Sequence, residues 1–289
     1  SAPIHRSSSR RPSCCGWGLN AIGPNQRIPR ATSSRTSMPD MLVAALATDG
    51  FVWLLATVLI AGVVYGFAGF GAALIFMPVA VIFLPPAVAI AAFSVSALSS
   101  FLTVMPKALP LVNRRAVGVL ILSAALAGSA GLWVLSFTDV TLIRWCVVFV
   151  CAASLAALVA GWRYDVTPST GARILIGSAT GFVGGLTGLL GPIMVLFQLA
   201  GRDSVATTRA TTIVFLTLTS LLLLPLMFAQ GLLTAPAVIL GVVFLVPYGI
   251  GALIGQAMFT PGRERFYRSV AYVIIAMATV AGLPIWDKA

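Results

Sequence analysis

The stretch Ile174-Leu-Ile-Gly-Ser-Ala-Thr-Gly181-Phe-Val-Gly184-Gly185-Leu-Thr-Gly188-Leu-Leu190 runs 17 residues without a charge, carries glycine throughout, and leads into Gly191-Pro192. Its length is close to that of a membrane-crossing helix, since about 20 apolar helical residues span a hydrocarbon core ~30 Å thick. Its end does not continue a helix. Glycine admits backbone angles closed to other residues, and proline lacks the N–H that a helix interior needs. The segment reads as a membrane helix that stops and restarts as a shorter one.

Working outward, Phe51–Phe67, Pro86–Met105, Ala116–Phe137, Thr211–Ala229 and Ala237–Phe259 also run 17 residues or more without a charge. Val140–Gly161 contains only Arg144, and Phe266–Leu283 only Arg268. Phe70–Leu84 and Pro192–Gly201 are apolar but short. Over all 289 residues 59% are hydrophobic and 9% charged, against about 25% charged in soluble domains, so too little charge is present to cover a soluble surface. The expected fold is an all-α integral membrane protein with eight long helices and two short or broken ones.

The net charge of +11 is placed for membrane orientation and not for nucleic acid. Arg6, Arg10, Arg11, Arg27, Arg30 and Arg35 lie in the first 37 residues, which contain no acidic residue, and the other twelve Lys and Arg are scattered over short loops. Residues 1–40 are read as a disordered Arg/Ser-rich tail. They lack the apolar core of a secretory signal and resemble an organelle transit peptide; a start placed too early, ahead of Met38 and Met41, is the preferred account. Residues 41–289 are read as a single transmembrane domain.

Loop charge discriminates between topologies, because Lys and Arg concentrate on the cytoplasmic side. If both short segments cross, Lys107–Arg115, Arg163–Arg173, Arg202 with Arg209, and Arg263–Arg268 place ten positive charges on one side. Only Arg144 and Lys288 remain on the other. If neither crosses, the split is six to six, so ten passages are favoured.

Sliding the chain along itself by 119 residues lays Gly62, Gly66 and Gly69 on Gly181, Gly185 and Gly188, and Ala87 and Ala91 on Ala206 and Ala210. Each half (about 50–165 and 170–285) then holds five passages. An odd number inverts the second half relative to the first, and inverted repeats with interrupted helices place a substrate site at the midplane. The restarted helices would direct unpaired N–H groups and positive dipole ends at an anion. Gly62/Gly66 and Gly181/Gly185 also have the spacing of close helix packing, and Pro78 and Pro192 are compatible with helix breaks.

Gly66-Phe-Ala-Gly69-Phe-Gly71-Ala-Ala-Leu-Ile-Phe-Met-Pro78, Gly181–Pro192 and Ala206-Thr-Thr-Arg209-Ala-Thr-Thr212 together resemble the sulfite exporter TauE/SafE family of membrane transporters, over roughly Met41 to Leu283. Ala72-Ala73 stands where that family often has further glycines. The resemblance implies transport of sulfur oxyanions or organosulfonates such as sulfite, thiosulfate, sulfoacetate or taurine-derived products.

Candidate substrate contacts are Gly66, Gly69, Gly71, Thr187, Gly188, Gly191 and Pro192 at the breaks. Arg209 with Thr212 adds a permanent cation able to make two parallel N–H bonds to an oxyanion. Ser96 heads a hydroxyl face continued by Ser99, Ser100 and Thr103, although such hydroxyls also bond their own helix carbonyls. Gln198 stands alone in a short apolar helix. Asp49, Asp139, Asp165, Asp203, Glu264 and Asp287 all lie at block ends, which argues against a carboxylate proton relay. Cys14-Cys15 and Cys146/Cys151 lack metal-ligand spacing, and the one histidine, His5, is in the tail. Catalytic groups, metal and cofactors are not expected, and no phosphate-binding loop is present. The chain is therefore read as a secondary transporter and probable exporter of a small sulfur-containing anion in the cell inner (plasma) membrane. An anion channel, or a carrier of another small anion, is the alternative. The partners expected are the anion and membrane lipid and not nucleic acid; a homo-oligomer is compatible with the sequence.

Overall fold

A computed structural model describes residues 50–160, 169–200, 205–258 and 264–284; they belong to one compact unit, Ser37–Ala289. The 1–40 tail and Arg163, Asp165, Arg202, Asp203, Asp287 and Lys288 lie outside the described residues. The helices are α1 (Phe51–Ala68), α2 (Ala72–Phe83), α3 (Pro86–Ser96), α4 (Leu98–Thr103), α5 (Met105–Ala108), a 3-10 turn (Leu109–Leu111), α6 (Arg114–Phe137), α7 (Val140–Val159), α8 (Thr170–Thr187), α9 (Gly191–Ala200), α10 (Val205–Ala229), α11 (Ala235–Met258) and α12 (Glu264–Ala281). The described residues contain no strand.

Among the described residues, six spans are long and apolar enough to cross a membrane: Phe51–Ala68, Pro86–Thr103, Arg114–Phe137, Val140–Val159, Ala206–Ala229 and Ala235–Met258. Eight were expected. The two that fall short are the block at Ile174–Leu190, whose helix begins at Thr170 and is diluted by Arg173 and glycines, and the block at Phe266–Leu283, whose apolar part is the shorter Ser269–Ala281. Large side chains on the outside, such as Leu126, Phe149 and Phe228, are exposed, as a lipid-facing surface requires. Trp53, Trp133 and Trp145 are exposed near helix ends, where amphipathic rings anchor at the interface.

The block Pro86–Met105 is not one helix, because it is interrupted at Ala97 and Val104. Ser96 donates to the Phe93 carbonyl at 2.8 Å, Ser99 to that of Ser96 at 2.9 Å and Thr103 to that of Ser99 at 2.8 Å. Hydroxyls bonding back to the ladder compete with it and bend it. Pro78, by contrast, lies inside α2, which continues to Phe83. The carbonyl that Pro78 leaves without its helical donor is that of Leu74, and the Cys151 thiol on α7 donates to it at 3.8 Å. At the end of α2, Arg144 donates to the carbonyls of Val81 (2.5 Å) and Ile82 (2.8 Å).

Two helix pairs make the most extensive contacts, α6 with α8 and α1 with α11. Glycine sets both. A Cβ on Gly185 would strike the Gly128 carbonyl and stand 3.0 Å from the Leu132 nitrogen. One on Gly66 would strike the Ala252 carbonyl and stand 2.8 Å from the Gln256 nitrogen. Gly181 meets Ala124 and Gly62 meets Tyr248 in the same way. In each pair residue numbers rise together, so both pairs run parallel, with backbones in contact through small residues.

Candidate functional site

Both glycine clusters end a helix in the left-handed region. Gly69 has φ 79° and ψ 3°, and its N–H donates to the Tyr65 carbonyl at 2.8 Å. Gly188 has φ 77° and ψ 1°, and its N–H donates to the Gly184 carbonyl at 2.8 Å. These are the same closing turn at positions 119 residues apart. The chain resumes as a helix at Ala72, after Gly71 with φ 92°, and at Gly191. Thr187 tightens the second break by donating to the Val183 carbonyl (2.7 Å) and accepting from the Leu189 N–H (3.3 Å).

The starts of α2 and α9 meet at one cavity of about 30 Å³, room for about two water-sized groups. Gly71, Ala72, Ala73 and Leu74 line it from one side, and Gly188, Leu190 and Gly191 from the other. First-turn N–H groups have no partner within their own helix, and each helix start carries roughly half a positive charge. Tyr65, Ser100, Thr217, Ser220 and Tyr248 supply hydroxyls, set among Phe93 and Leu216. No charged side chain lines the cavity among the described residues. The Tyr65 hydroxyl is 3.2 Å from the Ile213 carbonyl and 3.0 Å from the Thr217 hydroxyl. The Ser100 hydroxyl is buried beside the Tyr65 and Tyr248 hydroxyls and makes no hydrogen bond of good geometry among the described residues.

Of the residues singled out in the sequence, Gly71, Gly188 and Gly191 line this cavity. Gly69 and Thr187 shape the breaks behind it, and Pro192 is the second residue of α9. Gly66 packs against α11. Ser96 and Thr212 are turned to carbonyls of their own helices, those of Phe93 and Thr208. Arg209 lies across the first break, where a Cβ on Gly69 would stand 2.8 Å from its Cγ, and its guanidinium donates to the Gly66 carbonyl. It holds the open carbonyl end of α1. Gln198 belongs to α9, with its side chain outside the described residues.

Tyr65, Tyr248, Thr217 and Ser220 were not singled out. They are spread over three helices that are apolar on every side, so no periodic signal marks the face that turns inward. Ser100 was noted only as part of a hydroxyl face; it is the member whose oxygen is not committed to its own helix.

The sulfite exporter TauE/SafE family model matches residues 54–281. No curated protein and no solved structure matches the chain.

Proposed function

Because the chain belongs to the sulfite exporter TauE/SafE family of membrane transporters, we propose that it is a secondary transporter exporting a small sulfur-containing anion, such as sulfite, thiosulfate or an organosulfonate, across the plasma membrane. The observation that carries this reading is the meeting of two helix starts around one cavity that no carboxylate lines among the described residues. Unpaired amides and partial positive charges attract an anion, while an inward carboxylate would repel it.

The two halves act as inverted repeats in this proposal. Several contacts support that. Helix α6 runs parallel to α8, and α1 parallel to α11. Lys107, just ahead of α6, donates to the Gln256 side chain near the end of α11 at 3.3 Å. Helices α6 and α8 therefore start where α1 and α11 end. On this reading the hairpin α1–α2 enters from one face, α8–α9 enters from the other, and their tips hold the anion between them. Rocking of one half against the other would expose the cavity to each side in turn. A negative potential inside favours export by about 2.3 kcal/mol per charge per 100 mV.

The test is flux of labelled sulfite, thiosulfate and sulfoacetate in vesicles containing the purified full chain. Saturable flux of at least one of the three, accelerated by the same unlabelled anion on the opposite side, is expected. Flux that neither saturates nor responds to anion on the opposite side would make the protein a channel instead.

A further inference from the structure

We infer that the cavity selects a singly charged, protonated oxyanion over a doubly charged one, an inference that rests on the transporter reading and refines its substrate. The first ground is charge. The positive potential at the cavity comes from the starts of α2 and α9, roughly half a charge each, or about one in total. Arg209 stands behind Gly69 with its guanidinium on the Gly66 carbonyl, and it is not a lining residue. A monoanion is matched by about one charge. A dianion would keep about one charge uncompensated in a site walled by Phe93, Leu74, Leu190 and Leu216, where desolvation is costly.

The second ground is the hydrogen-bond inventory. Amide N–H groups only donate, and they suit unprotonated oxygens. Hydroxyls also accept. The Ser100 hydroxyl, on a residue 1% exposed, borders the cavity beside the Tyr65 and Tyr248 hydroxyls, with no hydrogen bond of good geometry among the described residues. Tyr65 donates its one proton to the Ile213 carbonyl and so accepts from the Thr217 hydroxyl, and any further bond it makes is as an acceptor. An oxyanion that carries one proton satisfies both sides: its bare oxygens face the helix starts, and its O–H faces the hydroxyl wall. A fully deprotonated anion has no donor to offer that wall.

The titratable or charged groups nearby are Tyr65 and Tyr248 in the lining, Cys151 behind α2 on the Leu74 carbonyl, and Arg209 behind Gly69. Asp, Glu, His and Lys are absent from the lining among the described residues. The pH dependence of transport should then follow the protonation of the anion.

Sulfite tests this directly, because hydrogensulfite loses its proton near neutral pH. In vesicles with equal pH on both sides and fixed total sulfite, the initial rate is expected to fall about tenfold per pH unit on the alkaline side, following the monoanion fraction. At fixed pH near neutral, hydrogencarbonate, a monoanion that carries an O–H, should compete and sulfate should not. Ser100→Ala should slow transport about tenfold and flatten the preference for hydrogencarbonate over sulfate, with Ser100→Thr restoring both. A rate that is flat or rises with pH, or competition by sulfate equal to that by hydrogencarbonate, overturns the inference while leaving a transporter. Absence of saturable flux at every pH overturns the transporter reading itself.

Discussion

The breaks at Gly69 and Gly188 share one backbone and differ in what leans on them. Both glycines have nearly the same dihedral angles, and both helices before them pack through glycine on a parallel partner. The nearest neighbour of Gly69 is Arg209, whose Cγ would stand 2.8 Å from a Cβ there; Gly188 has Met77, whose Cε would stand 2.9 Å from one, and Ile90, whose Cγ1 would stand 3.0 Å from it. Positions 90 and 209 are 119 apart, as are 69 and 188, so a cation and an alkyl chain occupy corresponding places. The same backbone shape occurs at both breaks, where the helices must touch and turn. Charge has been placed in one. The first tip is tied by Arg209 to α10 through the Gly66 carbonyl, whereas Met77 and Ile90 hold the second by apolar contact.

The largest effect that would test this equivalence is at the packing glycines. Gly66→Leu and Gly185→Leu each force a side chain into a facing backbone, and each should lower stability by ~3 kcal/mol or more. Loss of the monodisperse protein in detergent would register this, and tolerance of only one variant would break the likeness of the two interfaces. Next comes the asymmetry. Arg209→Ala leaves a helix-end carbonyl without its charged donor, a cost of about 1.5–3 kcal/mol, and should reduce flux about tenfold or more. Ile90→Val, at the corresponding place, should cost only about 0.5–1.5 kcal/mol and leave flux within about twofold. Unchanged flux in Arg209→Ala would leave the arginine no part in transport.

A smaller effect is expected from the turn itself. Gly69→Ala and Gly188→Ala place a Cβ in the left-handed region at about 1–2 kcal/mol each, and the Asn variants should be milder. Melting temperatures of the four proteins compare the two breaks directly. The smallest effect belongs to a group with no counterpart. Tyr65→Phe removes the hydroxyl bonded to Ile213 and Thr217, while the corresponding position in the other half is Gly184. A loss of about 1 kcal/mol, read by thermal denaturation, is the expected result.

Much of the architecture was legible because the bilayer leaves few options. A charge-free run of some 17–20 residues has to be a helix when every backbone group needs an internal partner. The breaks were legible because only glycine closes a helix at φ near 80° without strain. The broken course of Pro86–Met105 was less so, since the ladder yields there to back-bonding by Ser96, Ser99 and Thr103, which composition does not announce. The Leu74 carbonyl that Pro78 leaves open is met by the Cys151 thiol, 77 residues away, and no local rule finds that partner.

The sequence alone established a many-helix membrane protein, the location of its two interruptions, and its likeness to a family of anion exporters, because these follow from runs, spacings and special backbone angles along the chain. Tertiary structure alone decided which groups face one another. It set Ser100, Thr217, Tyr65 and Tyr248 around the helix starts, and it committed Arg209 to the Gly66 carbonyl. Helices hydrophobic on all sides carry no periodic contrast to mark an inner face, so those partners are defined only once the helices pack.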